Sequence, residues 1–375
     1  MNPIQMVDLK NQYLKIKKEI DFGIENVINS TAFINGPAVR EFQEALEKYL
    51  GVKHVIPCGN GTDALQVSIM ALGLKPGDEV ITTPFTFIAT AEVIALLGLK
   101  TVFVDVDPAT FNIDASQIEK AITTKTKAIV PVHLFGQCCD MEEILKIASK
   151  YNLFVIEDTC QAIGATYTFS NGKQKKAGTM GAVGCTSFFP SKNLGCYGDG
   201  GAIFTDDDSL AQQLRGIVNH GMFVRYYHDL VGVNSRLDSI QAAILSVKLQ
   251  HLDEYNAARY SVAQYYNQTF TEYPAIETPT IAPYSSHVFH QYTLKLKGID
   301  RQKLIDKMKE ADIPVMIYYP VPLHLQKVFA NLGEKEGDFP VTEELCNCVV
   351  SLPIHTELTG EQLKYITDNF LKSIK

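Results

Sequence analysis

The feature that most constrains this chain is an alternation, from about residue 53 to 205, of short apolar runs with amphipathic stretches. Val80–Thr83, Thr101–Val104, Ala128–Val132, Leu153–Ile156, Gly184–Phe188 and Ala202–Thr205 are too short for buried helices and are bounded by Gly, Pro or Asp, so they read as strands. Between them Thr62–Leu72, Ile88–Leu97, Gln117–Ile122 and Met141–Tyr151 carry apolar residues three and four apart and read as helices. Asp140 is placed to cap the last of these, with Glu143 completing a capping box. Strand and helix in turn imply right-handed crossovers and a mostly parallel sheet covered on both faces. Ligands of such sheets bind at the carboxyl ends of the strands.

Tyr167–Ala177 interrupts the alternation, and Asn171-Gly172 within it reads as a hairpin turn on the surface. Beyond residue 206 the pattern is helical through Asp206–Val218 and Leu237–Phe270. A strand (Phe289–Leu296), a helix (Arg301–Ala311), a strand (Val315–Tyr318) and two further helices follow. A chain of 375 residues suits one large domain with a smaller companion, here residues 1–250 and 251–375, with Pro274–Pro283 at the seam into the last part. The class is α/β.

Bulk properties exclude several functions. A net charge of −8 repels nucleic acid and anionic membranes, so a phosphate ligand must be held by a local site. The first twenty residues mix charges with apolar residues and lack the apolar run of a signal peptide or a membrane span, which leads us to expect a cytoplasmic protein. Eight cysteines are present, but neither Cys138-Cys139 nor Cys346-Asn347-Cys348 has zinc-ligand spacing; reduced, mostly buried thiols and no metal are expected.

Three segments carry candidate chemistry. Cys58-Gly59-Asn60-Gly61-Thr62-Asp63 runs two glycines into a helix, whose free first-turn amides make an anion site; a tight turn alone explains the glycines equally well. Phe154-Val155-Ile156-Glu157-Asp158 ends a hydrophobic strand in two acids. A carboxylate buried there needs a cation, such as a protonated pyridine nitrogen, although a helix cap or a magnesium ligand fits the same residues. In Thr186 to Gly201 a lysine, Lys192, follows an apolar strand in a Gly-rich bend, where desolvation lowers an amine's pKa and makes it a nucleophile toward an aldehyde; the alternative is a solvated loop lysine. The order of the three, a phosphate loop, then an acid, then a lysine at strand ends, favours the chemical reading.

At these residues the chain resembles the DegT/DnrJ/EryC1/StrS sugar aminotransferases, within the fold-type I enzymes that use pyridoxal 5′-phosphate. The resemblance runs from Phe33-Ile34-Asn35-Gly36-Pro37 to Pro320-Val321-Pro322-Leu323-His324 and is most specific over Ser187–Gly201. It implies a large domain around a mostly parallel sheet and a smaller C-terminal α/β domain. It further implies that Lys192 carries the cofactor and moves the proton, and that Asp158 pairs with the pyridine nitrogen. Gln161 bonds the phenolic oxygen, and Phe87 lies against the ring, where on the sequence alone it reads as a core aromatic. Gly61, Thr62 and Ser187 hold the phosphate, and Asn234 is given to the partner subunit's phosphate, so a homodimer sharing its active sites is expected.

A lysine at position 192, where some relatives that are dehydratases have histidine, points to transamination, with glutamate as donor and a nucleotide-linked ketosugar as acceptor. Ser187–Gly201 is most similar to members that aminate UDP-2-acetamido-2-deoxy-3-oxo-glucuronate for surface polysaccharides; those acting on dTDP-3-keto-6-deoxyhexoses come next. Arg236 is the candidate clamp for a substrate carboxylate, against the alternative of a salt bridge to Asp238 or another acid. Tyr318, Tyr319 and His324 resemble the family's substrate-contacting segment, and Asn35 and Gly36 a loop that approaches the sugar; packing at a domain seam would explain the tyrosines and histidine as well.

Overall fold

The computed structural model describes residues 2–374. Strands β1 (His54–Cys58), β2 (Glu79–Thr82), β3 (Lys100–Phe103), β4 (Thr126–Ile129) and β5 (Phe154–Asp158) are followed by a surface hairpin, β6 (Thr166–Thr168) and β7 (Gln174–Lys176), and then by β8 (Val183–Ser187) and β9 (Gly201–Thr205). Seven of these form one sheet in the order β1-β9-β8-β5-β4-β2-β3. Only β9 runs against the rest, pairing antiparallel with both β1 and β8. Two reversals cancel, so β1 points the same way as β5 and β8, and their carboxyl ends share one edge of the sheet.

The expected strands and helices of this region are present within a few residues. Missing from the expectation is β1, whose Pro57 weakens a strand reading; at the edge of the sheet a residue without an N–H is tolerated. The helix Met141–Tyr151 starts as expected at Asp140, which accepts from the Glu143 amide. Its capping box does not form, because the Glu143 carboxylate turns to Lys146 instead.

Helices Gly61–Ala71 and Asp208–Ile217 cover one face of the sheet with a core that includes Leu65, Val67, Ile69 and Leu214. Met141–Tyr151 covers the other, packing Ile144 and Ile147 onto Ile81, Ile129 and Val155. A short hairpin, β10 (Met222–Val224) and β11 (Tyr227–His228), projects beyond it with Tyr226 and Tyr227 exposed. The long helical stretch is split at His251 into Ser239–Gln250 and Leu252–Phe270.

The second helix opens a separate core. There Tyr266 and Phe270 pack on a three-stranded sheet of β12 (Ile276–Glu277), β13 (Tyr292–Leu296) and β14 (Val349–Leu352), backed by helices Arg301–Glu310 and Gly360–Ser373. Ile4, from the far N-terminus, belongs to this core, and Lys15 reaches across to Glu357. Val315–Tyr318 is not a strand: it makes a single bridge, Met316 to Ser351, and the ladder beside β13 is β14. Pro314 and Pro320 bracket the segment and cannot donate to a ladder.

Candidate active site

The loop after β1 is held from three sides. The Asn60 side chain caps the next helix by accepting from the Asp63 amide at 2.8 Å. Ser235 accepts from the Gly59 amide at 2.9 Å and donates to the Asp63 carboxylate at 2.7 Å. Gly61 is pressed against the end of β8: a Cβ there would sit 2.7 Å from the Ser187 Cβ and 2.9 Å from the Cys160 sulfur. First-turn amides have no acceptor within a helix, so those of Gly61 and Thr62, beside the Ser187 hydroxyl, are free to cradle an anion.

Strand alternation separates the two acids that end β5. Glu157 is fully buried on one side, where it accepts from the amides of Gly178, Met180 and Gly181 and pairs with His133 at 2.9 Å. Since His133 Nδ1 accepts from the Cys139 amide, its proton is on Nε2, facing Glu157. Asp158 turns to the other side and is 6% exposed at a cavity of about 620 Å³. It accepts from the Thr90 hydroxyl at 2.8 Å and the Cys160 amide at 3.2 Å. No helix starts after it, which removes the helix-cap reading, and no group of three or more metal-binding side chains exists among the described residues.

Lys192 lines the same cavity, half-buried, in the turn that leaves β8. Desolvation holds its ammonium below the ordinary lysine range, and the nearby Cys160 and Asp158 work in the opposite direction. A solvated loop lysine is therefore not what the fold builds. Gln161 is fixed by two bonds: its carbonyl accepts from the Phe135 amide at 2.8 Å and its amide donates to the Tyr319 hydroxyl at 3.1 Å. Phe87 is 57% exposed at the cavity wall, so it is not a core aromatic; Phe85, fully buried against Phe111, Phe135 and Tyr319, has that role.

Tyr318 and Tyr319 also line the cavity, and burial pushes both phenols up. The other four substrate candidates do not line it within one chain. His324 is buried behind it, with Nε2 3.0 Å from Glu343 and its ring against Phe339, so the packing explanation describes this residue. Asn35 is exposed and Gly36 is buried, its amide bonded to the Ser239 hydroxyl. Arg236 is half-buried and makes no salt bridge among the described residues. Asn234, expected at the partner subunit's phosphate, is exposed and does not line the cavity of its own chain, although Ser235 beside it braces the cradle loop.

Residues overlooked in the sequence complete the wall: Thr90 beneath Asp158, and His290 and Gln291 entering from the second core. His290 is 5% exposed, its Nδ1 has no partner among the described residues, and burial pushes its pKa down, aided by Lys192 and Arg259. The signal was present in His287-Val288-Phe289-His290-Gln291, polar side chains set in an apolar run next to a strand.

The set fits pyridoxal phosphate. A cradle of free amides and a hydroxyl suits its phosphate, and a buried carboxylate bonded only by neutral donors suits its ring nitrogen. An amine with depressed basicity suits its aldehyde, and an exposed aromatic at the wall suits its ring.

The model of the DegT/DnrJ/EryC1/StrS aminotransferase family matches residues 14–371. The chain is 49% identical, over 97% of both chains, to a protein of Geobacillus stearothermophilus named pleiotropic regulatory protein. It is 47% identical, over 97% of its own length and 98% of the other, to UDP-2-acetamido-2-deoxy-3-oxo-D-glucuronate aminotransferase of Pseudomonas aeruginosa. The crystal structure of NtdA from Bacillus subtilis with bound cofactor PMP superposes with a TM-score of 0.90 at 32% identity, covering 100% of this chain and 86% of that one.

Proposed function

The chain belongs to the DegT/DnrJ/EryC1/StrS aminotransferase family and uses pyridoxal phosphate, and from that premise we propose that it moves an amino group from glutamate to a UDP-linked 3-ketosugar. The observation that carries the chemistry is the convergence of Lys192, Asp158 and the Gly61-Thr62 cradle on one cavity at the carboxyl edge of the sheet. Support for the sugar comes from the Pseudomonas relative, and the acceptor we favour is UDP-2-acetamido-2-deoxy-3-oxo-glucuronate. Relatives named as dTDP-sugar transaminases are less similar, at 36% and 41% identity, which ranks a dTDP-linked ketosugar second.

When bound, the cofactor supplies an electron sink for the carbon that loses its proton. The residues of this chain do the rest. Gly61, Thr62 and Ser187 hold the phosphate end. Asp158, oriented by Thr90, keeps the ring nitrogen protonated; its burial makes that pairing stronger than it would be in water. Gln161 spends one amide hydrogen on Tyr319 and has a second for the phenolic oxygen. Lys192 would hold the cofactor's aldehyde end covalently, and its amine, once free, would take up and return the proton at the substrate carbon. Phe87 presents a flat apolar surface to the ring. Asn234, Arg236, Asn35 and Gly36 are assigned to the rim: in a homodimer their exposed loops would face the partner's cavity, with Asn234 at its phosphate and Arg236 at a carboxylate. No helix among the described residues is long and apolar enough to cross a membrane, and we assign the enzyme to the cytoplasm, where nucleotide sugars and glutamate are available.

Purified protein with pyridoxal phosphate should be yellow, lose the visible band on addition of glutamate, and regain it with the UDP-ketosugar, mass analysis showing a ketone replaced by an amine. A band that glutamate leaves untouched would overturn the donor assignment. The name of the Geobacillus relative raises a regulatory reading. Lys192→Ala separates the two, since a regulator without catalysis keeps its effect.

A further inference from the structure

The turn that carries Lys192 is tied to the rest of the site through one pair of buried amides. Asn193, the next residue and 4% exposed, donates through Nδ2 to the Asn256 side-chain carbonyl at 2.7 Å and to the Val288 carbonyl at 2.9 Å. Asn256, on helix Leu252–Phe270, donates in turn to the Ile163 carbonyl at 3.3 Å. Three segments therefore meet at two side chains. The Lys192 turn is one; the loop that leaves Asp158 and Gln161 for Ile163 is the second; the run from Val288 to His290 and Gln291 is the third.

Packing around the junction is tight. Gly164, at φ +90°, lies so close that a Cβ there would be 2.4 Å from Asn256 Nδ2. One helical turn beyond Asn256, on the same face, Arg259 donates to the carbonyls of Phe289, His290 and Ile354 and fixes the third segment independently. At the other end of the lysine turn the Gly195 carbonyl accepts from buried Lys248 at 2.5 Å. Of these ties, only the two asparagines connect the lysine turn to both other walls.

We propose that Asn193 and Asn256 are positioning residues, a strut that sets where the Lys192 amine stands relative to Asp158 and His290. The proposal rests on the aminotransferase reading, because it concerns the proton that Lys192 moves. Proton transfer is sensitive to placement: displacement of a reacting group by about 1 Å can cost about 100-fold in rate. Buried amide bonds also lock a loop better than apolar contacts, since a lost partner leaves a polar group stranded; Asn193 makes its ties through Nδ2, its Oδ1 having no partner among the described residues.

The test uses the full chain with Asn193→Ala, Asn256→Ala and both together. Each single variant should lower kcat by about 10- to 100-fold, with KM for glutamate within about two-fold of wild type. The double variant should be no slower than the worse single one, because either change breaks the same strut. A second readout needs no turnover: Lys192 in cofactor-free protein is acetylated across a pH series and followed by peptide mass spectrometry. Its midpoint should rise toward that of an ordinary lysine as the loosened turn admits water.

A fall in melting temperature with kcat and the labelling midpoint unchanged would mean a purely structural role and overturn the proposal, as would effects of the two changes that multiply. If Asn256→Ala does not fold, Asn193→Ala decides with the same two readouts. Failure of the wild type to bind pyridoxal phosphate would instead defeat the underlying reading, and the labelling midpoint would still report on the strut.

Discussion

The cavity and the surface around Asn35 and Asn234 make an instructive pair. In the cavity several polar groups already have their setting within one chain: Asp158 on Thr90, Gln161 between Phe135 and Tyr319, Ser187 against Gly61. On the surface, Asn35 and Asn234 are exposed and half-buried Arg236 has no acidic partner among the described residues, beside exposed Phe33 and Ile34. The loops that carry them are nonetheless zipped together, through the Ile34–Asp238 bridge and the Ser239 amide on the Phe33 carbonyl. Fixed backbone with unused side chains differs from a frayed surface. On the proposed reading a second copy of the chain would meet this surface and add Asn234 to a cavity whose other polar groups come from one chain.

The sharpest way to break that comparison begins with Lys192→Ala, which should lower turnover by about 10⁴-fold or more and abolish borohydride-stable attachment of the cofactor. Mixing this variant with Asn234→Ala then tests the surface. If Asn234 serves the partner, a mixed dimer holds one site with Lys192 and Asn234 both intact, and activity reappears on mixing two inactive or weakened proteins. No recovery after subunit exchange would place Asn234 outside the partner's site.

Smaller effects probe the cavity alone. Gly61→Ala should cost about 1 to 3 kcal/mol in stability, because its Cβ meets Ser187 and Cys160 below contact distance, and cofactor affinity should fall with it. Thermal unfolding and a pyridoxal phosphate titration measure both; an unchanged variant would mean the cradle is looser than described.

Lys248, beneath the lysine turn, gives a pH signature. Burial lowers its pKa to about 8, with Cys196 acting against the shift and Arg259 adding to it. Between about 8 and the ordinary 10.5 the unfolded chain binds the proton and the folded chain does not, so this group makes stability rise with pH across that window. Relative to Lys248→Met, the wild type should gain about 1 to 3 kcal/mol from pH 8 to 10.5, read from denaturant unfolding at each pH. A flat difference would show that Lys248 keeps an ordinary pKa.

Sequence by itself determined the parts of this protein that are local. Runs of four or five apolar residues between helices gave the sheet its strands, and the glycine turn before Thr62, an acid ending a strand and a lysine in a Gly-rich bend singled out residues that line one cavity. The elements were legible because strand, turn and helix-start chemistry depend on residues a few positions apart. Tertiary structure decided what depends on distant partners. It sent Glu157 to His133 and Asp158 to the cavity, exposed Phe87 while burying Phe85, and buried His324 against Glu343. It also replaced the expected strand at Val315–Tyr318 with β14, and brought Asn256 and His290 to Lys192 across more than sixty residues of chain. Which neighbour satisfies a buried polar group is settled only when the whole chain packs, since desolvation is enforced by residues that no local window contains.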